Sequence, residues 1–311
     1  MTTIDLTPAP PVASTPLDAA PRRVGLTLPE LGVVAEMAGG APLPFDVASP
    51  SAAGGLEDRL GHSPATTSDQ AYRSVVGALA NPVAALYRRG LVVDGRLDPG
   101  IAGAIGLLAT PRLALDIDVA CGHVQGKAWY RQTDAAVASL ATVDGIVFEL
   151  AWFATDAWPT ELARAAAISE EVALEPSAVP SYVDLPFELL DAATEALRTG
   201  RNDLVPVLVS RHTGAARGAD GRALPDDETA RVLVALAAEA RGRLRAMVAD
   251  VPSHPDEHAP AVGVVSWTLL ADGWHALRPH RGPDGLRVEV SATESTTLSV
   301  VLAPLLAEVR A

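Results

Sequence analysis

The sequence predicts an α/β (α+β) protein in which two similar halves share one antiparallel β-sheet flanked by helical subdomains. One observation is that the predicted order of helices, then three strands, then a helix occurs twice along the 311 residues. A second is that two stretches read alike, LTLPELGVVAEMAGG in the first half and VDLPFELLDAATEALRTG in the second. A third is physical, because a three-stranded sheet is marginally stable alone and joining two of them removes two exposed edges. We therefore expect one duplicated, pseudo-two-fold unit.

The N-terminal half is predicted to comprise residues 22–168, after a proline-rich, disordered tail at residues 1–21. A short strand leads into a helix from Pro29 to Ala38. Thr27 is its expected cap, because Pro is favoured in the first turn of a helix and Thr just before it. Three further helices are predicted, at Ser68–Leu79, Pro82–Tyr87 and Pro99–Ala109.

Strands follow where the hydrophobic period changes to two residues. RLALDIDVAC alternates apolar and polar side chains, KAWYRQTDAAVASL does so more weakly, and IVFELAWF is rich in β-branched and aromatic residues. Val143-Asp144-Gly145 predicts a tight hairpin turn before the third of these strands. WPTELARAAAI then predicts a helix that is entered at Pro159.

The C-terminal half, residues 169–311, repeats this order. Its first helix is expected to have Asp184 as cap and Pro186 in its first turn. A long amphipathic helix is expected over residues 225–249, since acids lie at its start and arginines at its end. Three strands are predicted in AVGVVSWTLL, WHALRPH and LRVEVSAT, and a closing helix runs through Leu298, Val300, Leu302 and Leu305.

The charge balance argues against nucleic acid as the partner. The chain has 24 Lys and Arg against 38 Asp and Glu, a net charge of −14, whereas nucleic-acid affinity comes mainly from neutralised phosphates. Residues 86–111 do have the helix, short strand and helix order of a winged-helix domain, and they include the pair Arg88-Arg89. The second helix of this segment, PGIAGAIGLLA, has no Arg, Lys, Asn or Gln that could contact base edges. The winged-helix interpretation is therefore disfavoured.

The sequence also predicts a cytoplasmic protein that is not inserted in a membrane. The first 21 residues contain five prolines and lack the basic and apolar regions of a secretory signal. No apolar run approaches the ~18 residues that a membrane-spanning helix needs.

Residues that could support catalysis or metal binding are sparse. Cys121, the single cysteine, is expected to be a small buried side chain. His254, Asp256 and His258 lie among prolines, where the helical spacing of a zinc site cannot form. Because no nucleophile elbow or phosphate loop is present either, we predict a non-enzyme without cofactor or metal. The alternative is a small-molecule-binding or hydrolase domain that uses the loop 211–222 and His212.

Four stretches carry a further pattern: LTLPELGVVAEMAGG followed by PLPF, ALYRRGLVVDGRLDPGIAGAIGLLATP, VDGIVFELAWF, and the ending VVSWTLLADGWHALRPHRGPDGLRVEVSATESTTLSVVLAPLLAEV. Together they resemble the EspG-like proteins of mycobacterial type VII (ESX) secretion, over residues 23–309. The abundance of Ala, Gly, Arg and Val with little Lys is typical of a GC-rich actinobacterial genome. The resemblance implies a pseudo-two-fold α/β fold and a cytosolic chaperone that holds the helical tip of a PE–PPE substrate pair. The turn at 143–145 is shorter than the cargo-contacting loop that the family tends to have there.

The tryptophans suggest where such a partner would bind. All five lie on or just beyond the predicted strands, and Trp dominates interface energetics, although core packing is the simpler role for any one of them. Strand VVSWTLL separates Val265, Trp267 and Leu269 on one face from Val264, Ser266 and Thr268 on the other. We predict a groove beside helix 225–249 in which arginines attract an acidic helical partner; the alternative is that the protein's own helices cover both faces. The predicted contact residues are Val265, Trp267, Leu269, Trp274, Arg241 and Arg245.

Overall fold

A computed structural model describes residues 21–45, 81–122, 124–133, 136–251 and 261–308. Within these residues the chain forms eight α-helices and thirteen β-strands, and eleven of the strands belong to one large sheet. The predicted α/β class with a shared antiparallel sheet and flanking helices is confirmed. In the same described residues, no helix is long and apolar enough to cross a membrane.

The helices and strands have the following bounds. The helices are α1 (Leu28–Met37), α2 (Pro82–Arg88), α3 (Pro99–Ala109), α4 (Trp158–Ala165), α5 (Phe187–Arg198), α6 (Val205–Arg211), α7 (Asp226–Glu239) and α8 (Thr297–Glu308). The strands are β1 (Arg22–Thr27), β2 (Val92–Val93), β3 (Arg96–Leu97), β4 (Leu113–Cys121), β5 (Val124–Gln132), β6 (Ala136–Thr142), β7 (Val147–Ala154), β8 (Tyr182–Pro186), β9 (Arg217–Gly218), β10 (Gly242–Asp250), β11 (Ala261–Leu270), β12 (Gly273–Gly282) and β13 (Gly285–Thr293).

The strand order reveals the repeat. It runs β1-β7-β6-β5-β4-β10-β11-β12-β13-β8-β9. Four strands follow one another in chain order on each side, β4 to β7 and β10 to β13. The last strand of each set pairs with a strand that leads into a helix, β7 with β1 before α1 and β13 with β8 before α5. β4 and β10 are antiparallel, with Ile117 opposite Ala246. The two meanders therefore join through their first strands.

The chain divides into two compact units. The first comprises the described residues of Met1–Pro111, Arg131–Leu140 and Ile146–Ala157, and the second those of Arg112–Tyr130, Ala141–Gly145 and Trp158–Ala311. The central β4–β10 pair lies within the second unit. The proposed division into halves at residue 168 concerns the duplication and stays a prediction.

Each meander has four strands, so the prediction of three was wrong. KAWYRQTDAAVASL forms two strands, β5 and β6, instead of one. The predicted helix 225–249 ends at Glu239, and residues 242–250 form β10. Leu244, Ala246 and Val248 alternate with exposed residues in β10, and the strand pairs on both sides. At its start, a Cβ on Gly242 would lie 2.5 Å from the carbonyl oxygen of Ala120, so the close strand approach there requires glycine.

The starts of α1 and α5 differ although their sequences are similar. Thr27 caps α1 as predicted, and Glu30 completes a capping box by accepting a hydrogen bond from the Thr27 N–H at 2.8 Å. Asp184 is not a helix cap, because it lies inside β8 and binds Arg287 of the adjacent β13 through an Oδ2–Nε contact of 2.7 Å. This long-range ion pair overrode the local capping signal.

The helix, strand and helix segment at residues 86–111 serves packing in the first unit. The Arg89 guanidinium donates to the Gly25 carbonyl at 2.6 Å and to Glu30 Oε2 at 3.1 Å, so it ties α2 to the start of α1. Gly100 in α3 allows close contact with Trp152, since a Cβ at this position would lie 2.8 Å from the indole ring. The helix predicted at Ser68–Leu79 lies outside the described residues.

In the second unit, helices cover one face of strands β4, β10 and β11. Gly263 is so close to α8 that a Cβ would lie 2.6 Å from a methyl group of Leu305. The Trp274 indole donates to the Ala166 carbonyl, just after α4, at 2.8 Å. We name this side the covered face; its buried side chains include Leu115, Ile117, Leu244, Ala246, Val265, Trp267 and Leu269.

Candidate functional site: the open face of the central strands

Among the side chains that the structure describes, the opposite side of the same strands has none that is buried before Leu270, at the end of β11. We name it the open face, and its residues are Asp116 and Asp118 on β4, Lys127 and Trp129 on β5, Arg243, Arg245 and Met247 on β10, and Val264, Ser266 and Thr268 on β11. All lie in the second unit. The two-residue period of each strand separates them from the covered face.

Helix α7 borders the open face. Leu270, two residues beyond Thr268 on β11 and therefore on the same side, is fully buried in a core with Val232 and Leu236 of α7. From Thr268 backward along β11 this cover ends, and Val264 is 48% exposed. The open face thus begins at the edge of the helical layer formed by α5, α6 and α7.

Four of the six predicted contact residues lie in the core instead of at a surface. Trp267 and Leu269 are at most 1% exposed, Trp274 is 3% exposed and Val265 is 8% exposed. The rings of Trp267 and Trp274 lie 6.2 Å apart under α4 and α8. The physical reason is that α8 and α4 need an apolar sheet face to bury their own apolar sides, and these residues form it. The exposure that the docking prediction required of these four is therefore contradicted, whereas partner binding itself stays a prediction.

The two arginines that were predicted to contact a partner have different environments. Arg241 precedes β10, and its guanidinium donates to the carbonyls of Leu270 at 3.2 Å and Ala271 at 2.8 Å. These hydrogen bonds fix the connection between α7 and β10, so the Arg241 side chain has its partners within the protein. Arg245 lies on the open face and is exposed, directly across the ladder from Asp118.

The sequence prediction missed the tryptophan that lies on the open face. Tyr130 packs against Trp158 of α4, with ring centroids 5.2 Å apart and ring planes tilted by 40°, so it belongs to the covered face. Strand alternation then places its neighbour Trp129 on the open face, where it is half-buried. The sequence AWYRQ shows that two aromatic residues are adjacent on this strand, so that they must point to opposite faces. Which of the two lies on the open face depends on the position of α4.

The open face combines charge and apolar surface. β4 contributes two carboxylates and β10 two guanidinium groups, while β5 adds Lys127 and β11 adds no charge. Met247 and Val264 are 38% and 48% exposed and lie opposite each other on β10 and β11. The open face therefore presents exposed apolar side chains beside charges of both signs.

The predicted candidates for catalysis and metal binding are not brought together in the described part of the chain. No group of three or more His, Cys, Asp and Glu side chains there could hold a metal ion. Cys121 is half-buried at the end of β4, opposite Gly242. His254, Asp256 and His258 lie outside the described residues.

The loop 211–222, the alternative site, is held by backbone hydrogen bonds. His212 ends α6, and Gly218 N–H donates to the Arg222 carbonyl at 3.0 Å beside the short edge strand β9. The Arg287 guanidinium reaches the Ala215 carbonyl at 2.8 Å. These contacts anchor the loop to the sheet edge, and none of them assembles a nucleophile with a base.

A polar cluster next to that loop joins β8, β12 and β13. Asp184 accepts from Arg287, and the other carboxylate oxygen lies 3.0 Å from His280 Nε2. Burial, followed by the negative charges of Glu289 and Asp184, raises the pKa of Tyr182 on the same strand β8. The cluster provides partners for the buried carboxylate of Asp184 at the sheet edge, and we interpret it as structural.

Comparison with known proteins bears on the fold. Among solved structures, the chain is similar to the Mycobacterium tuberculosis type VII secretion system chaperone EspG5, solved in complex with a PE25-PPE41 dimer. The TM-score is 0.58, the identity is 11%, and the match covers 92% of this chain and 96% of that chain. The fold resembles that of EspG5.

The resemblance inferred from sequence is thus confirmed at the level of the fold. No protein-family model and no curated protein sequence matches the chain. At 11% identity the likeness concerns the backbone arrangement alone. The identity of the contact residues has to be argued from this chain's own open face.

Proposed function

We propose that this protein is a cytoplasmic chaperone or adaptor of an actinobacterial type VII secretion system. It binds the helical tip of a PE–PPE-like secreted substrate and keeps that tip soluble. The observation that carries the proposal is the similarity in fold, over 92% of this chain, to a secretion chaperone solved with a PE-PPE dimer. We also propose that the protein is not an enzyme, because the open face offers surface and charge without a catalytic arrangement.

The open face is the proposed docking site. An amphipathic helix binds through a few apolar anchors placed along one stripe. Met247, Val264 and Trp129 provide such anchor points on the sheet, and Val234 on the adjacent α7 is 42% exposed. Arg243 and Arg245 provide positive charge within an acidic chain and favour an acidic partner during encounter.

Co-expression tests the proposal. The protein is expressed with each pair of predicted helical, secreted proteins encoded beside its own gene, and co-purification and substrate solubility are measured. We expect one pair to be soluble only in its presence. Val264→Asp and Met247→Asp should weaken that complex about tenfold or more, because a desolvated carboxylate replaces an apolar anchor.

Val300→Asp is the matched control. Val300 is 69% exposed on α8, on the opposite side of the sheet, so this change adds the same charge away from the open face. Binding by Val300→Asp should equal that of the wild type. Loss of binding in Val300→Asp alone, with the open-face variants unaffected, would place the partner on α8 and reject the proposed site. If no pair co-purifies with the wild type, the chaperone function itself is wrong.

A further inference from the structure

The central strand pair has an internal symmetry on its covered face. Ile117 lies opposite Ala246, and on either side of this point Leu115 faces Val248 and Val119 faces Leu244. A two-fold axis through the Ile117–Ala246 pair exchanges β4 with β10, so that Leu115 takes the place of Leu244. The three central pairs related in this way on the covered face, Leu115 with Leu244, Ile117 with Ala246 and Val119 with Val248, are all aliphatic.

The open face breaks this symmetry by charge. The same axis exchanges Asp116 with Arg245, and Asp118 with Met247. One strand of the pair therefore carries carboxylates where the other carries a guanidinium or a thioether. The neighbouring strands differ as well, because β5 presents Lys127 and Trp129 whereas β11 presents Val264, Ser266 and Thr268.

If the open face of β4 and β10 were symmetric, a helix could bind to it equally well in two opposite directions. β10 is nine residues long, so it spans about 30 Å, the length of a helix of about 20 residues. Such a helix is about 10 Å wide and covers two strands that lie about 4.8 Å apart. One flank of the helix then contacts β4 and the other contacts β10. The two strands differ in charge, since β4 presents carboxylates and β10 presents guanidinium groups.

We infer that the open face selects a partner helix with one acidic and one basic flank and fixes its direction, the acidic flank over Arg243 and Arg245 and the basic flank over Asp116 and Asp118. This inference rests on the proposed docking function and adds to it the chemistry and polarity of the partner. The apolar contacts come from Met247, two residues beyond Arg245 on β10, and from Val264, which lies opposite Met247 on β11.

Three helix-stabilised peptides of about 20 residues test this inference with the full-length protein. They share one apolar stripe and differ in their flanks: one acidic and one basic, both acidic, or both basic. Fluorescence anisotropy at low salt measures their affinities. We expect the mixed peptide to bind about three- to tenfold more tightly than each of the others, because exposed ion pairs contribute little individually and several act together here.

Charge-removing variants identify the contacts. Asp116→Asn with Asp118→Asn should improve binding of the doubly acidic peptide and weaken binding of the mixed one. Arg243→Gln with Arg245→Gln should do the same for the doubly basic peptide. Glu195→Gln with Arg198→Gln, which removes an exposed ion pair on α5, is the matched control and should change nothing. Circular dichroism melting verifies that each variant is folded.

The outcomes separate the inference from the function on which it rests. Tight binding of all three peptides with equal affinity, insensitive to these variants, overturns the inference and leaves docking on the open face intact. Failure of every peptide to bind overturns both the docking site and the inference.

Discussion

Trp267 offers the sharpest test of the assignment of the two sheet faces. It is 1% exposed and is the largest of the fully buried side chains. Truncating a buried aromatic residue to alanine costs about 3–5 kcal/mol through lost transfer energy and the remaining cavity. The indole N–H is buried and has no hydrogen-bond partner among the described residues, so its removal returns about 1–3 kcal/mol of desolvation cost. We therefore expect Trp267→Ala to lower the free energy of unfolding by about 2 kcal/mol, within a range of about 0–4 kcal/mol.

Trp267→Phe refines this magnitude. It keeps an aromatic ring beside Trp274 and removes the unpartnered N–H, so the smaller cavity and the recovered desolvation energy nearly cancel. The expected cost is about 0–2 kcal/mol. Urea unfolding followed by circular dichroism provides both values from the shift in midpoint at constant slope.

Trp129→Ala is the matched comparison on the open face. Because Trp129 is half-buried, its removal should cost less stability than that of Trp267 and should weaken partner binding by about tenfold. Trp267→Ala, assayed at a temperature where it is folded, should bind the partner within about twofold of the wild type. If Trp267→Ala instead abolished binding while its stability stayed unchanged, the assignment of covered and open faces would be refuted.

Two further predictions concern the polar cluster at the sheet edge. Arg287→Met should cost about 3–5 kcal/mol in urea unfolding, since it leaves the buried Asp184 carboxylate without its cation, whereas Arg278→Met, which breaks the more exposed pair with Glu289, should cost less than about 1 kcal/mol; equal costs would contradict the assigned burial. Tyr182 has a pKa raised in the folded state from its ordinary value of 10.0, so its contribution to stability is complete below that pH and is lost as the pH rises through the folded pKa. Tyr182→Phe should therefore reduce the fall in unfolding free energy above pH 10, and an unchanged alkaline slope would contradict the proposed cause.

Local signals in the sequence were sufficient where a helix or strand depends on its own residues. The helix Pro99–Ala109 has the predicted bounds, since Asp98 caps it and Pro99 occupies its first turn. Thr27 caps α1, and β11 coincides with AVGVVSWTLL. In each case the cap, the proline or the alternation acts within a few residues, so no distant contact was needed.

The failures share a different cause. Residues 242–250 read as the end of a helix because arginines favour helix C-termini, but pairing with β4 and β11 made them a strand. Asp184 reads as a cap, but Arg287, more than a hundred residues later, holds it in β8. Long-range pairing decided both, and single-sequence periodicity carries no information about a partner strand.

The sequence by itself determined the class of the fold, its duplication and the acidic character that disfavours nucleic acid. These follow from composition, element order and the hydrophobic period, which are properties of the chain before it folds. Only the tertiary structure decided which face of the central strands the helices cover. Alternation along β11 divides its residues into two sets, but the packing of α4 and α8 determined that Trp267 is core and that Arg245 and Val264 lie on the open face. A strand's period defines two sides, and the side facing solvent depends on the elements packed against the other.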